Sequence, residues 1–376
     1  MNNNKITQKA MPPGYFISEE MTKRGWKQTD LAAILGKPVS VVSEIIKGSR
    51  PISMEMALSL ATVFGDDPKT WIQRQTDFQI SISPDVDRSV VQRAKLFNLY
   101  PIREMQRRGW IVNTFNASLL EADLRKFLER DDIYDFPVIA HAARKSGQYT
   151  EPTPEEKTWL ARAKYIANSI YLENKYSDKM FNALLEQLAP LKINSQDVFR
   201  IPRLLRNYGI RFVIVEPLPK TKIDGACLWL DKNSPVIAMS LRVDRNDNFW
   251  FTLGHELGHL KNHDGETVDT ALFDGEYDPE NKPELELRAD EFSQNFIVDQ
   301  NNFKDWVSRN YPYFRLYNIM AFAMVNNVHP GLVVGQLHYH KKLDPSHGRK
   351  FLEKIRNLII DSVPDTDGWG HSIKLA

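Results

Sequence analysis

Residues 16–80 show the pattern of several short helices separated by turn-forming residues. Apolar side chains recur with the period of an α-helix in three successive stretches, 28–35, 40–47 and 53–64. Gly36 and Gly48 end the first two stretches, and Ser53 is placed to cap the third. A last short helix that carries Trp71 completes this predicted helical module.

The period of apolar residues predicts that residues 85–185 are also almost wholly helical. Breaks occur at Arg107–Trp110 and at Gln148–Pro154, and the second break is the expected joint between the two halves of the chain. The pattern places no recognisable chemistry here. We therefore expect a helical linker or a dimerisation region.

The pattern of apolar and polar residues changes after Pro202. Short β-like stretches alternate with turn residues and are followed by two helical segments; the predicted strands are 210–215, 226–230 and 236–240, and the predicted helices are 246–263 and 283–297. This order is typical of an α+β domain in which helices pack on a small sheet. Beyond His347 we expect one amphipathic helix and a frayed end.

These patterns predict a multidomain, mainly helical protein with an α+β C-terminal part. We place boundaries after residues 80, 185 and 345, which separate a domain of five helices, a helical linker or dimerisation region, an α+β domain with a small sheet, and a C-terminal helix and tail. A chain of 376 residues is long enough for two or three such domains.

The composition of the chain limits where the protein is expected to be located and which kinds of partner it can bind. The formal net charge is only +1, so a nucleic-acid contact requires a local basic patch. One cysteine, Cys227, excludes an internal disulfide and a cysteine-based zinc site. Met1–Tyr15 has no apolar core of a signal peptide, and apolar runs such as Ile319–Val325 are too short to cross a membrane. We expect a cytoplasmic protein without a membrane partner.

The stretches 28–35 and 39–48 have the spacing of a helix-turn-helix, in which the second helix lies in the DNA major groove. Leu31 and Ile45 suit the core between the two helices, which leaves polar residues on the outer face of the second. Gln28 at the start of the first helix is placed near a phosphate. The candidate DNA contacts are Gln28, Val39, Ser40, Ser43, Glu44, Lys47 and Arg50.

Several segments of this module resemble the Cro/repressor-type helix-turn-helix, and more narrowly the HigA antitoxin branch; they are Pro12-Pro-Gly14, Gln28-Thr-Asp-Leu-Ala32, Gly48-Ser-Arg-Pro-Ile-Ser53, Ala57-Leu-Ser-Leu-Ala61 and Trp71. The resemblance implies a homodimer that reads an inverted-repeat operator in double-stranded DNA, often in its own promoter. Glu44 departs from this picture, because an acid on the reading face repels phosphate unless it accepts from a cytosine. The alternative is a helical module that binds only protein.

A metal-binding pattern lies in the C-terminal half, where His255-Glu256-Leu-Gly-His259 forms an HExxH motif. His255 and His259 are four residues apart and share one helix face, so both imidazoles can bind one Zn²⁺. Glu256 lies about 100° away around the helix, where it can take a proton from water. Apolar residues on the opposite side give this helix a face to bury.

A catalytic zinc needs a third protein ligand, and the predicted helix 283–297 offers acidic candidates. Glu286 borders the apolar face of this helix and is our third ligand. Asp290, one turn later, is placed to accept the free N–H of either His255 or His259, and the sequence does not decide between them.

Three other residues compete for a role. His263 follows His259 by four positions, but three ligands on one straight helix would span about 12 Å, too far for one zinc. A hydrogen-bonded structural histidine is the alternative for His263 and also for His329, which could otherwise stabilise an oxyanion. Cys227 is either a small buried hydrophobe or a redox-sensitive thiol.

Five segments of the C-terminal half resemble the ImmA/IrrE metallopeptidase family; they are Asp224-Gly-Ala226, Pro235-Val-Ile237, the run Asn248 to His259, Glu286 to Phe292, and His329 to Gly335. The resemblance covers about 200–340 and implies zinc ligands at His255, His259 and Glu286, with Glu256 as the catalytic glutamate. Better-known members cleave a separate helix-turn-helix repressor, whereas here a helix-turn-helix shares the chain.

With these resemblances, 1–80 is expected to be a helix-turn-helix domain of five helices and 186–345 a zincin-like metallopeptidase domain with a small sheet, with the helical linker or dimerisation region in 81–185 between them and the C-terminal helix and tail in 346–376. The sequence therefore predicts an antitoxin-like, autoregulatory DNA-binding regulator with a zinc-dependent endopeptidase domain that cleaves itself or a partner protein. One alternative is a non-catalytic antitoxin that neutralises a cognate toxin through its C-terminal part, with a structural or vestigial zinc site. Another is a protease that uses its helix-turn-helix only to dock protein substrates.

Overall fold

The computed structural model describes residues 10–83, 88–134, 141–145, 153–264 and 284–363. The chain divides into two compact units, Met1–Arg88 and Ser89–Ala376. Among the described residues, no helix is both long and apolar enough to cross a membrane.

The first unit consists of helices around a small apolar core: α1 Pro13–Arg24, α2 Gln28–Leu35, α3 Val39–Ile46, α4 Met54–Phe64 and α5 Pro68–Ile82. Gly36 ends α2 in the left-handed conformation, with φ at 63°, and so allows the tight turn into α3. The hydroxyl of Ser53 accepts a hydrogen bond from the backbone N–H of Met56 and caps α4 as predicted.

Helix α5 extends over 15 residues and is therefore longer than the short helix predicted around Trp71. Trp71 is fully buried in the core of the first unit. One turn later, the side-chain oxygen of Gln75 accepts a hydrogen bond from the backbone N–H of Ile52 at 2.8 Å. This contact joins the middle of α5 to the segment that leads into α4.

The second unit combines helices with a four-stranded sheet. Its strands are β1 His141–Lys145, β2 Arg211–Ile214, β3 Ile223–Trp229 and β4 Pro235–Met239. The helices are α6 Arg88–Leu99, α7 Ile102–Arg107, α8 Ala117–Leu128, α9 Pro154–Ser169, α10 Phe181–Leu188, α11 Ile201–Asn207, α12 Asn246–Asn262, α13 Glu284–Ile297, α14 Gln300–Asn310, α15 Leu316–Val325, α16 Pro330–Tyr339 and α17 Arg356–Ile359.

The strand order in the sheet is β1-β3-β4-β2. Strand β3 pairs antiparallel with both β1 and β4, and β2 pairs parallel with β4. Strand β1 corrects the prediction that residues 85–185 are almost wholly helical. Its sequence, His-Ala-Ala-Arg-Lys, has no β-branched residue, so its extended form depends on backbone pairing with the distant β3, which a local pattern cannot reveal.

Both faces of the sheet are covered. Phe212, Cys227 and Ile237 pack on one face with α12 and the helices that follow it. Side chains of the opposite face, such as Val213 and Ala226, pack with residues of α6 to α9. The segment expected to be a linker or dimerisation region therefore forms one of the layers around the sheet in its described parts. Of the joint predicted at Gln148–Pro154, residues 148–152 lie outside the described residues.

Residues 348–363 differ from the single amphipathic helix predicted beyond His347, and the frayed end predicted after it, in 364–376, lies outside the described residues. The described segment forms short 3₁₀ turns at Arg349–Phe351 and Ile360–Ser362, with the four-residue α17 between them. The carboxylate of Asp244 accepts the backbone N–H groups of residues 355 and 356 and fixes the start of α17. A distant side chain thus interrupts the pattern that predicted one continuous helix.

Candidate metal centre and DNA-binding helix

Helix α12 carries the HExxH motif and is buried throughout the stretch from Phe249 to Leu260. Two glycines on this helix face α13. A Cβ added at Gly258 would lie 3.1 Å from the Cα of Ala289, and one at Gly254 would lie 2.8 Å from the hydroxyl of Ser293. Because no side chain separates the two backbones there, α13 comes close enough for its acidic residues to reach the histidines.

His255, His259 and Glu286 converge between α12 and α13. Their ligand atoms all lie within 4.8 Å of one another. The two Nε2 atoms are 3.0 Å apart, and the carboxylate oxygens of Glu286 lie 3.2 Å from Nε2 of His255 and 3.3 Å from Nε2 of His259. All three side chains are buried, so the sequence-predicted ligand set is brought together in one enclosed place.

The spacing of these donors fits a zinc ion. Ligands at about 2.0–2.1 Å from a tetrahedral zinc lie about 3.3 Å from one another. The two Nε2 atoms are 3.0 Å apart, and each has a different oxygen of Glu286 close to that distance, Oε2 at 3.2 Å from His255 and Oε1 at 3.3 Å from His259. Two imidazoles and one carboxylate are also the donor set of many catalytic zinc sites, which keep the fourth position for water or substrate.

Each histidine of the pair has its other ring nitrogen held by a carboxylate. Nδ1 of His255 donates to Oδ1 of Asp290 at 2.8 Å, and Nδ1 of His259 donates to Oδ2 of Asp264 at 3.0 Å. These contacts leave both Nε2 atoms turned towards the centre. The structure pairs Asp290 with His255, a choice that the sequence left open.

The partner of His259 was missed by sequence reasoning. Asp264 follows the end of α12, where His263 adopts a left-handed conformation with φ at 57° and turns the chain back. An acid five residues after the second histidine was the only signal, and it was one of many acids in that stretch.

The buried charges of the centre stabilise one another. Burial by itself would lower the pKa of His259, but hydrogen bonds to Asp264 and Glu286 raise that pKa to about 10. Burial would raise the pKa of Glu286, yet the hydrogen bonds from His255 and His259 hold it well below its usual range. Glu286 is therefore a carboxylate, the form in which it can bind a cation.

Glu256 is fully buried and lies against strand β3. A Cβ added at Gly225 would lie 2.7 Å from Oε1 of Glu256 and 2.7 Å from the methyl group of Thr252. Only glycine allows this strand to approach the helix so closely. Cys227, two residues further along β3, is also fully buried, and burial raises the pKa of its thiol well above the usual value.

Two histidines considered as alternatives have other contacts. Nε2 of His263 lies 2.9 Å from a carboxylate oxygen of Asp178, and its ring stacks on Trp229. Nδ1 of His329 accepts from the backbone N–H of Gly331 and from the side-chain amide of Asn246, at the start of α16. Asn246 begins α12, nine residues before His255, which places this contact about 13 Å from that histidine along the helix.

Four candidate DNA contacts of the first unit lie on helix α3, and the other three flank it: Gln28 begins α2, and Lys47 and Arg50 follow α3. Val39, Ser40 and Lys47 are exposed, whereas Gln28 and Ser43 are half-buried. Glu44 and Arg50 are exposed and pair with each other at 3.0 Å between Nη1 of Arg50 and Oε2 of Glu44. This ion pair offsets the negative charge that sequence analysis found out of place on a DNA-reading face.

Comparison with known proteins distinguishes the two units. The helix-turn-helix family model matches residues 17–67. A protein of Haemophilus influenzae described as an uncharacterized HTH-type transcriptional regulator is 36% identical over 72 residues, which are 19% of this chain and 67% of that protein. This chain belongs to the helix-turn-helix family.

Two further relatives of this helix-turn-helix protein come from Dichelobacter nodosus. Virulence-associated protein I is 30% identical over 82 residues, which are 22% of this chain and 76% of that protein. Virulence-associated protein A' is 34% identical over 70 residues, which are 18% of this chain and 61% of that protein. An addiction module antidote protein of a HigA family from Coxiella burnetii, a solved structure, shows 26% identity and a TM-score of 0.20 over 24% of this chain and 94% of that one.

The second unit of this helix-turn-helix protein matches the model of peptidase family M78, the IrrE N-terminal-like domain, over residues 206–325. That range includes all of α12 and α13 and hence the three converging ligands. The chain thus joins a DNA-binding helix-turn-helix of the regulator type to an IrrE-like domain of a peptidase family.

Proposed function

We propose that this protein is an antitoxin-like, autoregulatory DNA-binding regulator whose C-terminal domain is a zinc-dependent endopeptidase that cleaves itself or a partner protein. The observation that carries the proposal is the convergence of His255, His259 and Glu286 beside a buried Glu256, in a chain that also contains a helix-turn-helix. The match of residues 206–325 to the model of peptidase family M78 supports the same reading of the second unit.

In this proposal, His255, His259 and Glu286 hold the zinc ion through two Nε2 atoms and a carboxylate. When bound, zinc supplies Lewis acidity for the scissile carbonyl and lowers the pKa of water. Glu256 takes the proton of the attacking water and then gives it to the leaving amine. Asp290 and Asp264 keep the N–H groups of the two histidines directed outwards.

The proposed DNA contacts divide into two classes. Val39, Ser40 and Ser43 are the residues that contact base edges, through a methyl group or a hydroxyl. Lys47 and Arg50 contact phosphates, as does Gln28 at the start of α2. A homodimer would place two copies of α3 in successive major grooves of an inverted-repeat operator, in its own promoter.

The first experiment measures zinc content and proteolysis on the purified full chain and on a Glu256→Gln variant. We expect one zinc per chain in both proteins, and cleavage of the chain itself or of a co-purified protein only in the wild type. Glu291→Gln on α13 is the matched control, because this glutamate is exposed and its change leaves cleavage intact. If zinc reconstitution leaves the wild type without metal, the endopeptidase assignment is wrong.

A second experiment tests the regulator. The wild type is expected to shift DNA from upstream of its own gene in a gel, and Lys47→Ala is expected to weaken that binding without a change in base preference. Lys69→Ala, an exposed lysine at the start of α5, is the control that keeps wild-type affinity. Equal binding to every DNA of the same length would contradict an operator-reading function.

The link between the two activities is tested with a reporter gene under the protein's own promoter. If cleavage relieves repression, Glu256→Gln keeps the reporter repressed under conditions in which the wild type releases it. Identical repression and release by the two proteins would show that proteolysis and DNA binding are independent. Co-purification of a second protein that is never cleaved would instead favour neutralisation of a cognate toxin.

A further inference from the structure

We propose that Tyr339 is a positioning residue for the metal ligand His255 and acts on it through Asp290. This inference rests on the metal centre proposed above. It assigns a role to α16, a helix that lies outside the range 206–325 matched by the peptidase family model.

Helix α16 turns one face towards α12. Gly331, Gly335 and Tyr339 are spaced four residues apart and therefore share that face. A Cβ added at Gly335 would lie 2.6 Å from the Cβ of Asp247, in the first turn of α12. The two helices are thus in close contact near the beginning of α12, and the contact fixes where the end of α16 lies.

The third member of this face, Tyr339, lies one turn further along α12. Its ring packs against that of Phe251, with 5.4 Å between the ring centroids. Phe251 is one helical turn after Asp247 and one turn before His255. The tyrosine is therefore brought next to the turn that carries the first metal ligand; it is 50% exposed, and one side of its ring contacts Phe251.

Asp290 receives a hydrogen bond on each of its two carboxylate oxygens. Nδ1 of His255 donates to Oδ1 at 2.8 Å, and the hydroxyl of Tyr339 donates to Oδ2 at 3.2 Å. The residue is only 5% exposed. Two donors on opposite oxygens fix the plane of the carboxylate, and that plane sets the orientation of the imidazole of His255.

The test uses the full-length protein and measures zinc affinity by competition with a chromophoric chelator. Tyr339→Phe keeps the ring against Phe251 and removes only the hydroxyl. We expect zinc to bind about tenfold more weakly, at the low end of the effect of outer hydrogen-bond partners on metal affinity, while the melting temperature of the metal-free protein stays unchanged. Tyr317→Phe, at a tyrosine that is 79% exposed, is the matched control with wild-type affinity.

A double-mutant cycle separates positioning through Asp290 from a general packing effect. In an Asp290→Asn background, Tyr339→Phe is expected to cause little further loss of zinc affinity, because the hydroxyl then has no carboxylate to hold. The absorption bands of the Co²⁺-substituted protein are expected to change in both single variants.

The possible failures are distinct. If the wild type binds zinc and Tyr339→Phe binds it equally well, the role of Tyr339 is wrong and the metal centre stands. If the two substitutions weaken binding additively, Tyr339 does not act through Asp290, and the inference is equally wrong. If the wild type does not bind zinc at all, the proposed function fails and the inference falls with it.

Discussion

Helices α3 and α12 both carry candidate functional residues, but they expose them in opposite ways. Helix α3 has eight residues, and its buried side chains are Val42 and Ile45. Its candidate DNA contacts lie on the open side. Helix α12 has 17 residues and is buried from Phe249 to Leu260, a stretch that includes both histidines and Glu256. Substitutions on α3 can therefore change binding without changing the fold, whereas on α12 the chemistry and the packing depend on each other.

Metal removal provides the largest test of this difference. Binding to the folded state alone stabilises a protein by about 4 kcal/mol when free zinc is about 1,000 times its Kd. We expect a chelator to accelerate hydrogen exchange in α12 and α13 and to leave exchange in α2 and α3 unchanged. Mass spectrometry of peptides from the two units measures this directly. A uniform change across both units would contradict a zinc site confined to α12 and α13.

A glycine substitution tests the packing around Glu256. Gly225→Ala places a methyl group 2.7 Å from a carboxylate oxygen of Glu256, so the side chain of Glu256, the strand or the helix must move. We expect a loss of about 1–3 kcal/mol in the free energy of unfolding of the second unit, typical of overpacking, together with a loss of proteolysis. Denaturant titration and the cleavage assay measure the two effects.

The control for that experiment is Gly36→Ala in the turn between α2 and α3. No atom lies within 4 Å of the added methyl group there, so only backbone strain from the positive φ remains. That strain costs about 1–2 kcal/mol and leaves zinc binding unchanged. A Gly225→Ala protein with full proteolysis would show that strand β3 does not determine the position of Glu256.

Arg50→Ala tests the exposed side of the comparison. It removes an ion pair in which each side chain is 49% exposed, and such pairs contribute about 0–1 kcal/mol to stability. We therefore expect an almost unchanged melting temperature but weaker DNA binding, with the slope of log affinity against log salt reduced by about one. Glu44→Gln is expected to strengthen DNA binding, because it removes the negative charge. If Arg50→Ala leaves the salt slope unchanged, Arg50 is not a phosphate contact.

The smallest expected effect is the alkylation of Cys227 in the folded protein. The raised pKa of this fully buried thiol keeps it protonated, and a protonated thiol is a poor nucleophile. We expect no alkylation of the folded protein at neutral pH and complete alkylation after denaturation. Rapid labelling of the native protein, measured by mass, would support the redox-sensitive thiol instead.

Local patterns predicted the parts of the fold that local forces determine. The bounds of α2 and the cap of α4 follow from Gly36 and Ser53. The ligand set followed from spacing on α12 and from the apolar face of α13. Strand β1 and the broken C-terminal segment depend on contacts between residues far apart in sequence, such as Asp244 with the start of α17, and no local period encodes these contacts. The pairing of Asp264 with His259 was missed for the same reason.

The position of the Tyr339 hydroxyl depends on the number of residues in helix α16. Gly331 and Gly335 contact α12 and its surroundings, and the hydroxyl reaches Asp290 only if Tyr339 stays four positions after Gly335. Inserting one residue between Gly335 and Tyr339 would rotate the tyrosine by about 100° and carry its hydroxyl away. Insertions in the exposed turn of 344–347, which follows this helix, leave the spacing intact and are expected to be tolerated. Tolerance to length changes therefore differs sharply between two adjacent stretches of the chain.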